Sequence, residues 1–273
     1  MLPCHDLLAI RYATANLRPD HIFVRPDPHD VAGPIDYFIW LIRSEDRSIL
    51  VDTGFGARAA AERGRTLLRS PVDALASLGA AAGEIDTVVL THLHYDHAGN
   101  LALFPNATFV VQASEMAGAT GPDMQTAIGR AAFDVEDVTE MVRRLFADRV
   151  RFVYGDSELI PGVTLHLLGG HTRGLQGVRV HTRRGWVMLA SDALHFYANL
   201  WRANPFPVLV DLPGVIAAGR KALALVETKE HLIPGHDPAV MSIFPPHPSV
   251  VDVFDLAADP IGMAPDANLP LQA

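Results

Sequence analysis

The stretch Thr91-His92-Leu93-His94-Tyr95-Asp96-His97-Ala98-Gly99-Asn100 sets three histidines and an aspartate within six positions, directly after the apolar run 85–90. Imidazole nitrogen and carboxylate oxygen are the donors that zinc and similar ions take, at about 2.0–2.2 Å. On an extended or tightly turning loop His92 and His94 project to the same side, because alternate residues share a face. Asp96 and His97 follow after a turn and can point back at a second ion close by. Such a cluster offers nothing to a core, so metal binding is the reading that explains it.

One loop cannot complete two coordination shells. The residues that could do so stand where later strands give way to loops. His171 follows a strand predicted over 163–168 and the pair Gly169-Gly170, Asp192 follows one over 186–190 and Ser191, and His236 follows Ile233-Pro234-Gly235. Loops at the ends of a rigid sheet are where catalytic groups usually sit, and glycine lets the backbone turn sharply there. Each of the three is ordinary alone and gains weight from the cluster it could complete. His5, His21, His29, His166, His181, His231 and His247 are read as solvated or hydrogen-bonded side chains.

The remaining pattern alternates short β-type runs with helices. Residues 37–42 read as a buried strand, a turn follows at Glu45-Asp46-Arg47, and 48–51 returns as its partner before Asp52-Thr53-Gly54 breaks it. Helix is predicted over 71–78, with Pro71 in its first turn and Gly79 just past its end. Residues 123–146 read as mostly helical, with Val138, Met141, Val142 and Leu145 at three- and four-residue spacing. Strands follow over 163–168, 177–181, 186–190 and 231–233, with a helix over 215–226. No linker divides the chain. The expectation is one α/β domain over 1–273, two mixed sheets packed together with helices outside, a helical insert around 114–147 and an irregular tail from Pro245.

Composition narrows the partners. Hydrophobic residues make up 49% and charged residues 19%, enough to bury a sizeable core. Lys and Arg total 22 against 31 Asp and Glu, a formal charge of -9, which argues against a phosphate-backbone partner and so against nucleic acid. The single cysteine, Cys4, fits a reducing compartment, and the start MLPCHDLLAI lacks the pattern of a signal peptide. No run has the length a membrane span needs. These features together predict a cytoplasmic protein with no membrane partner; a homodimer is the commonest assembly for such a chain.

The motifs resemble those of the metallo-β-lactamase fold hydrolases. The match comprises His92-x-His94-x-Asp96-His97, Gly170-His171-Thr172, Ser191-Asp192-Ala193 and Pro234-Gly235-His236-Asp237, together with the early Asp52-Thr53-Gly54 turn, over roughly residues 35 to 240. The resemblance implies a four-layer αβ/βα sandwich with its site at one edge of both sheets. It implies that His92, His94 and His171 hold one ion, that Asp96, His97 and His236 hold the other, and that Asp192 bridges them. Zinc is the first expectation, and iron, manganese or cobalt suit the same shell. Within the superfamily the chain looks most like the N-acyl homoserine lactonase branch. Those enzymes usually carry a tyrosine three residues after the bridging aspartate; here that place is His195, with Tyr197 two further on.

The implied chemistry is lactone opening. Two ions about 3.5–4 Å apart lower the pKa of a shared water, and the bridging hydroxide attacks an ester carbonyl. His195 or Tyr197 is the expected donor to the developing oxyanion. Asp96 is placed to pass a proton to the leaving alkoxide, and Asp52 is expected to orient a ligand histidine. The segment carrying Phe196, Tyr197, Leu200, Trp201, Phe206 and Val208 is expected to wall an apolar pocket, while Met116, Met124, Phe133 and Met141 in the insert serve either that pocket or plain packing. The alternatives are a thioesterase of the glyoxalase II type or another carboxylic-ester hydrolase, and a metal-stabilised protein without turnover. A glutathione thioester expects a basic patch, and the tail has few Lys or Arg. Phosphoester cleavage is disfavoured by the acidic charge, and a flavin–di-iron role by His94 standing where that group has glutamate.

Overall fold

Leu8, Ile10 and Tyr12 face one apolar cluster while Leu7 and Ala9, between them, face another. The same alternation separates Tyr37, Ile39 and Leu41 from Phe38, Trp40 and Ile42, and Leu50 from Ile49 and Val51. Successive side chains of a strand point to opposite faces, so a sheet covered on both sides turns apolar runs into two cores. The computed structural model describes residues 2–44 and 47–263; the expected turn at Glu45 and Asp46 lies outside the described residues.

The strands are β1 (Asp6–Leu17), β2 (Gly33–Arg43), β3 (Ser48–Val51), β4 (Thr66–Leu67), β5 (Thr87–Val89), β6 (Thr108–Gln112) and β7 (Val150–Val153). Then come β8 (Ser157–Ile160), β9 (Val163–Leu167), β10 (Gln176–Thr182), β11 (Gly185–Ser191), β12 (Leu232–Pro234) and β13 (Val253–Asp255). The first sheet runs β13-β1-β2-β3-β5-β6-β7, with β4 paired to β1; the second runs β12-β11-β10-β9-β8. Both are mixed: β3, β5, β6 and β7 are parallel, as are β11 and β12, and the other pairs are antiparallel.

Parallel neighbours need crossovers, and these supply outer helices. Ala59 and Ala60 of α1 (Ala57–Arg63), Ala74 and Leu75 of α2 (Pro71–Ser77), and Ala98 of the short α3 (Tyr95–Ala98) pack against the outer face of the first sheet. So do Met116 and Ala119 of α4 (Ala113–Ala119) and Met141 of α6 (Val135–Phe146), with α5 (Ala127–Arg130) between them. Between the sheets, Phe38, Trp40 and Val51 of the first share a core with Leu165, Val178 and Val187 of the second. Against the second sheet lie α7 (Tyr197–Trp201) and α8 (Leu212–Ala224), while α9 (Val240–Ile243) follows the edge strand β12 and its Met241 sulfur meets Arg11 of β1 at 2.8 Å. This is the four-layer αβ/βα arrangement expected.

Three departures have physical causes. The 123–146 region is broken, with a 3-10 turn at Pro122–Gln125 and a fresh start at Val135, where the Asp134 carboxylate caps the Glu136 N–H at 2.9 Å. The tail is not wholly irregular: β13 pairs with β1, Leu8 opposite Asp255, and so satisfies an otherwise open edge. Finally, β1 itself, buried on both faces, lacks the polar alternation that would announce a strand.

Candidate metal centre

The cluster assembles where strands of both sheets end. The loop after β5 brings His92, His94, Asp96 and His97; the loop after β9 brings His171; Asp192 follows β11; His236 follows β12. Crevices beyond the carboxyl ends of parallel strands are where such folds place their ligands. Two non-glycine residues sit in the left-handed region here, Asp52 (φ 61°) and Ser191 (φ 48°), one at the end of a strand in each sheet. Ser191 Oγ donates to Thr91 Oγ1 at 2.9 Å and ties the two loops together.

An outer ring of acceptors fixes the histidines. His97 Nδ1 lies 2.7 Å from Asp52 Oδ2, His236 Nδ1 2.8 Å from the Asp36 carbonyl, His171 Nδ1 2.6 Å from the Val208 carbonyl and His92 Nδ1 3.1 Å from Thr91 Oγ1. Each Nδ1–H given outward leaves Nε2 as the lone pair facing in, the arrangement typical of metal-bound imidazole. Asp52 also accepts from the Thr91 N–H at 2.7 Å and the Thr91 hydroxyl at 2.8 Å. Sequence reasoning missed Glu115, which is buried on α4. Its carboxylate accepts from Leu93 N (2.9 Å), Thr172 Oγ1 (2.6 Å) and Gly174 N (2.9 Å), so one side chain fixes both loops that carry His94 and His171.

Inside this ring the donors fall into two sets. Atoms of His92, His94 and His171 lie within 4.8 Å of one another, and so do those of Asp96, His97 and His236. Asp192 stands between them. Its Oδ2 lies 3.3 Å from His171 Nε2 and 3.8 Å from His92 Nε2, while its Oδ1 lies 3.2 Å from His97 Nε2 and 3.1 Å from His236 Nε2. The Nε2 atoms of His92 and His97 are buried with no hydrogen-bond partner. Orphaned nitrogens in an all-N/O pocket are what a divalent cation satisfies, so the residues present fit such an ion.

Electrostatics agree. Burial holds His92 and His94 well below their ordinary range and takes His171 down to about 3, so all three are neutral and ligand-competent. Burial pushes His97 and His236 down as well, but the facing carboxylates, Asp192 foremost, outweigh it and raise both. Burial opposes ionisation of Asp192, yet His195, His236 and His97 outweigh that and hold it well below the usual carboxylate range. Asp52 is raised, chiefly by burial.

The two candidate donors part company. His195 enters the site: its Nε2 is 2.9 Å from Asp192 Oδ2 and its ring stacks on Phe206 with centroids 3.7 Å apart. Tyr197 does not. It is packed in the core between the sheets and their helices, where burial, with Asp237 nearby, pushes its hydroxyl far above the ordinary phenol range. It is the first residue of α7, and the residues that line the cleft do not include it. A cleft of about 640 Å³ opens onto the cluster; Phe133, Phe206 and Val208 line it, while Met116, Met141 and Trp201 are core. Among the histidines read as bland, His5, His166 and His231 make ordinary hydrogen bonds, and His21 stands at the cleft edge. No helix among the described residues is long and apolar enough to cross a membrane.

Comparison with known proteins follows the same line. An N-acyl homoserine lactonase AttM of Rhizobium johnstonii is 30% identical over 177 residues, covering 63% of this chain and 66% of that protein. The chain thus spans just under two thirds of that relative's length. The N-acyl homoserine lactonase AiiA of Bacillus thuringiensis subsp. kurstaki is 27% identical over 182 residues, 61% of this chain and 67% of the relative. A solved quorum-quenching N-acyl homoserine lactone lactonase superposes with a TM-score of 0.74 at 23% identity, covering 88% of this chain and 96% of its own, which shows a shared fold. The profile of the metallo-beta-lactamase superfamily matches residues 32–236, the span that carries every ligand candidate, and the chain belongs to that superfamily.

Proposed function

We propose that this protein is a dinuclear metal-dependent hydrolase that opens lactone rings. The observation that carries the reading is the placement of Asp192, with one carboxylate oxygen toward each histidine set. His92, His94 and His171 would hold one ion and Asp96, His97 and His236 the other. When bound, a pair of divalent ions supplies an activated water near neutral pH and polarises an ester carbonyl; zinc is the expected metal, and a relative in fold is described as a dizinc lactonase.

The chain's own groups do the rest. The outward bonds of the ligand histidines keep the donor set rigid, so little reorganisation accompanies the reaction. His195 presents its N–H at the boundary between Asp192 and the open cleft, where a substrate carbonyl can share it. Asp96, on the cleft wall, would take the proton that the attacking water gives up and pass it to the alkoxide that leaves. Phe133, Phe206 and Val208 exclude water from the acyl side. The relatives named as lactonases support this substrate class.

The test has two measurements. Metal analysis of the purified protein is expected to give about two ions per chain. A panel of acyl homoserine lactones, aromatic lactones and thioesters is expected to show lactones turned over fastest; a thioester preferred over every lactone overturns the assignment.

A further inference from the structure

Two arginines line the cleft on the side of Asp96 and His236, and no described carboxylate forms an ion pair with either. Gly64 ends α1 in the left-handed conformation (φ 64°), and the Arg65 N–H closes back on the Ala60 carbonyl at 2.8 Å, which fixes where Arg65 leaves the helix. The two side chains then divide the work. Arg63 is used internally: it bonds the Ala131 and Phe133 carbonyls and lies 3.9 Å over the Tyr95 ring. Arg65 gives only its Nε, at 3.2 Å, to the Tyr95 hydroxyl and rests 5.9 Å from the Tyr37 ring. Tyr37 in turn stands edge-on to His236, with centroids 5.2 Å apart. The terminal fork of Arg65 therefore remains for a group inside the cleft.

Among the described residues no carboxylate comes within ion-pair distance of this half-buried guanidinium; Asp96 acts on it from farther off and is itself a candidate metal ligand, so the planar fork is left to match an incoming carboxylate. The protein's charge of -9 offers an anion no general attraction, so a local cation must hold it. We propose that Arg65, backed by Tyr95 and Tyr37, is an anion-binding subsite that selects substrates carrying a carboxylate on the alcohol portion of the scissile ester. The placement follows from the side of the cleft: Arg65 neighbours the set of Asp96, His97 and His236, where the lactonase reading, on which this rests, puts the leaving alkoxide.

The probe pair is γ-butyrolactone bearing a carboxylate on its γ-carbon and the corresponding carboxamide, tested with the metal-loaded protein. Wild type is expected to show a KM at least about tenfold lower for the carboxylate. Arg65→Met should abolish that preference, the change appearing in KM rather than kcat, and Arg65→Lys should keep part of it because the charge stays while the fork is lost. Calorimetric binding of tetrahydrofuran-2-carboxylate, which keeps the ring and the carboxylate but has no ester to cleave, gives a readout independent of turnover and should vanish in Arg65→Met. Equal KM for the pair in wild type, or an unchanged preference in Arg65→Met, overturns the subsite and leaves lactone hydrolysis standing. If neither lactone is hydrolysed, the lactonase reading fails and calorimetry decides: loss of binding in the variant supports the subsite, equal binding overturns it. Should Arg65→Met not fold, Arg65→Lys decides by the same comparisons.

Discussion

Asp52, at the end of a strand in the first sheet, holds His97 Nδ1 at 2.7 Å from inside the protein. It occupies a left-handed backbone position that asparagine tolerates nearly as well, so Asp52→Asn tests the carboxylate without disturbing the turn. The expected outcome is an affinity for the second ion weakened by about 10–100-fold, with the first ion retained. Metal titration of the variant, with circular dichroism to confirm the fold, checks this; two ions bound as in wild type would refute it.

Glu115 should matter for both stability and metal. Replacing it with alanine strands the Leu93 and Gly174 N–H groups and the Thr172 hydroxyl in a buried place. A loss of about 2–5 kcal/mol is expected in denaturant unfolding. Weaker binding of the first ion should accompany it, because both loops of that set lose their common anchor. Unfolding midpoints equal to wild type would show that water replaces the carboxylate.

His195 and Tyr197 give opposite expectations. His195→Ala should lower kcat by about a hundredfold while two ions stay bound. Tyr197→Phe should leave kcat unchanged, since its hydroxyl lies in the core. Steady-state kinetics of both variants on one lactone tests the pair, and a drop in Tyr197→Phe would reverse the assignment.

The two proposed ion sites should respond differently to acid. His92, His94 and His171 are held low by burial, so protons compete weakly for the first set. His97 and His236 are raised, so below their folded values a proton occupies the position an ion needs. As pH falls, the second set should empty first, and loading it should release protons. Metal content after dialysis at stepped pH, and calorimetry in buffers of different ionisation enthalpy, measure this; simultaneous loss of both ions would contradict it.

What could be seen in the sequence was chemistry packed locally. His92, His94, Asp96 and His97 declare themselves because ligand spacing on one loop is a sequence property. His171, Asp192 and His236 were legible through their motifs and their places at strand ends. Glu115, Arg65 and Tyr37 carry no such signal: a lone acid on a helix, a lone arginine after one and an apolar-run tyrosine reach the site only because the sheets bring them there. Strand β1 escaped for a related reason, since burial on both faces erases the alternation that marks a half-exposed strand. Tyr197 shows the limit of spacing: it stands two residues past His195, yet it faces the core, because nearness along the chain does not set the direction of a side chain.

The hydrogen bond from Ser191 to Thr91 joins the tips of the two halves at the point where their ligands meet. Each candidate ligand set draws on both halves, so an ion seated there would act as a rivet through the seam of the sandwich. Chelation should then loosen the molecule as a whole, and filling of the proposed metal sites and closure of the two halves become a single equilibrium.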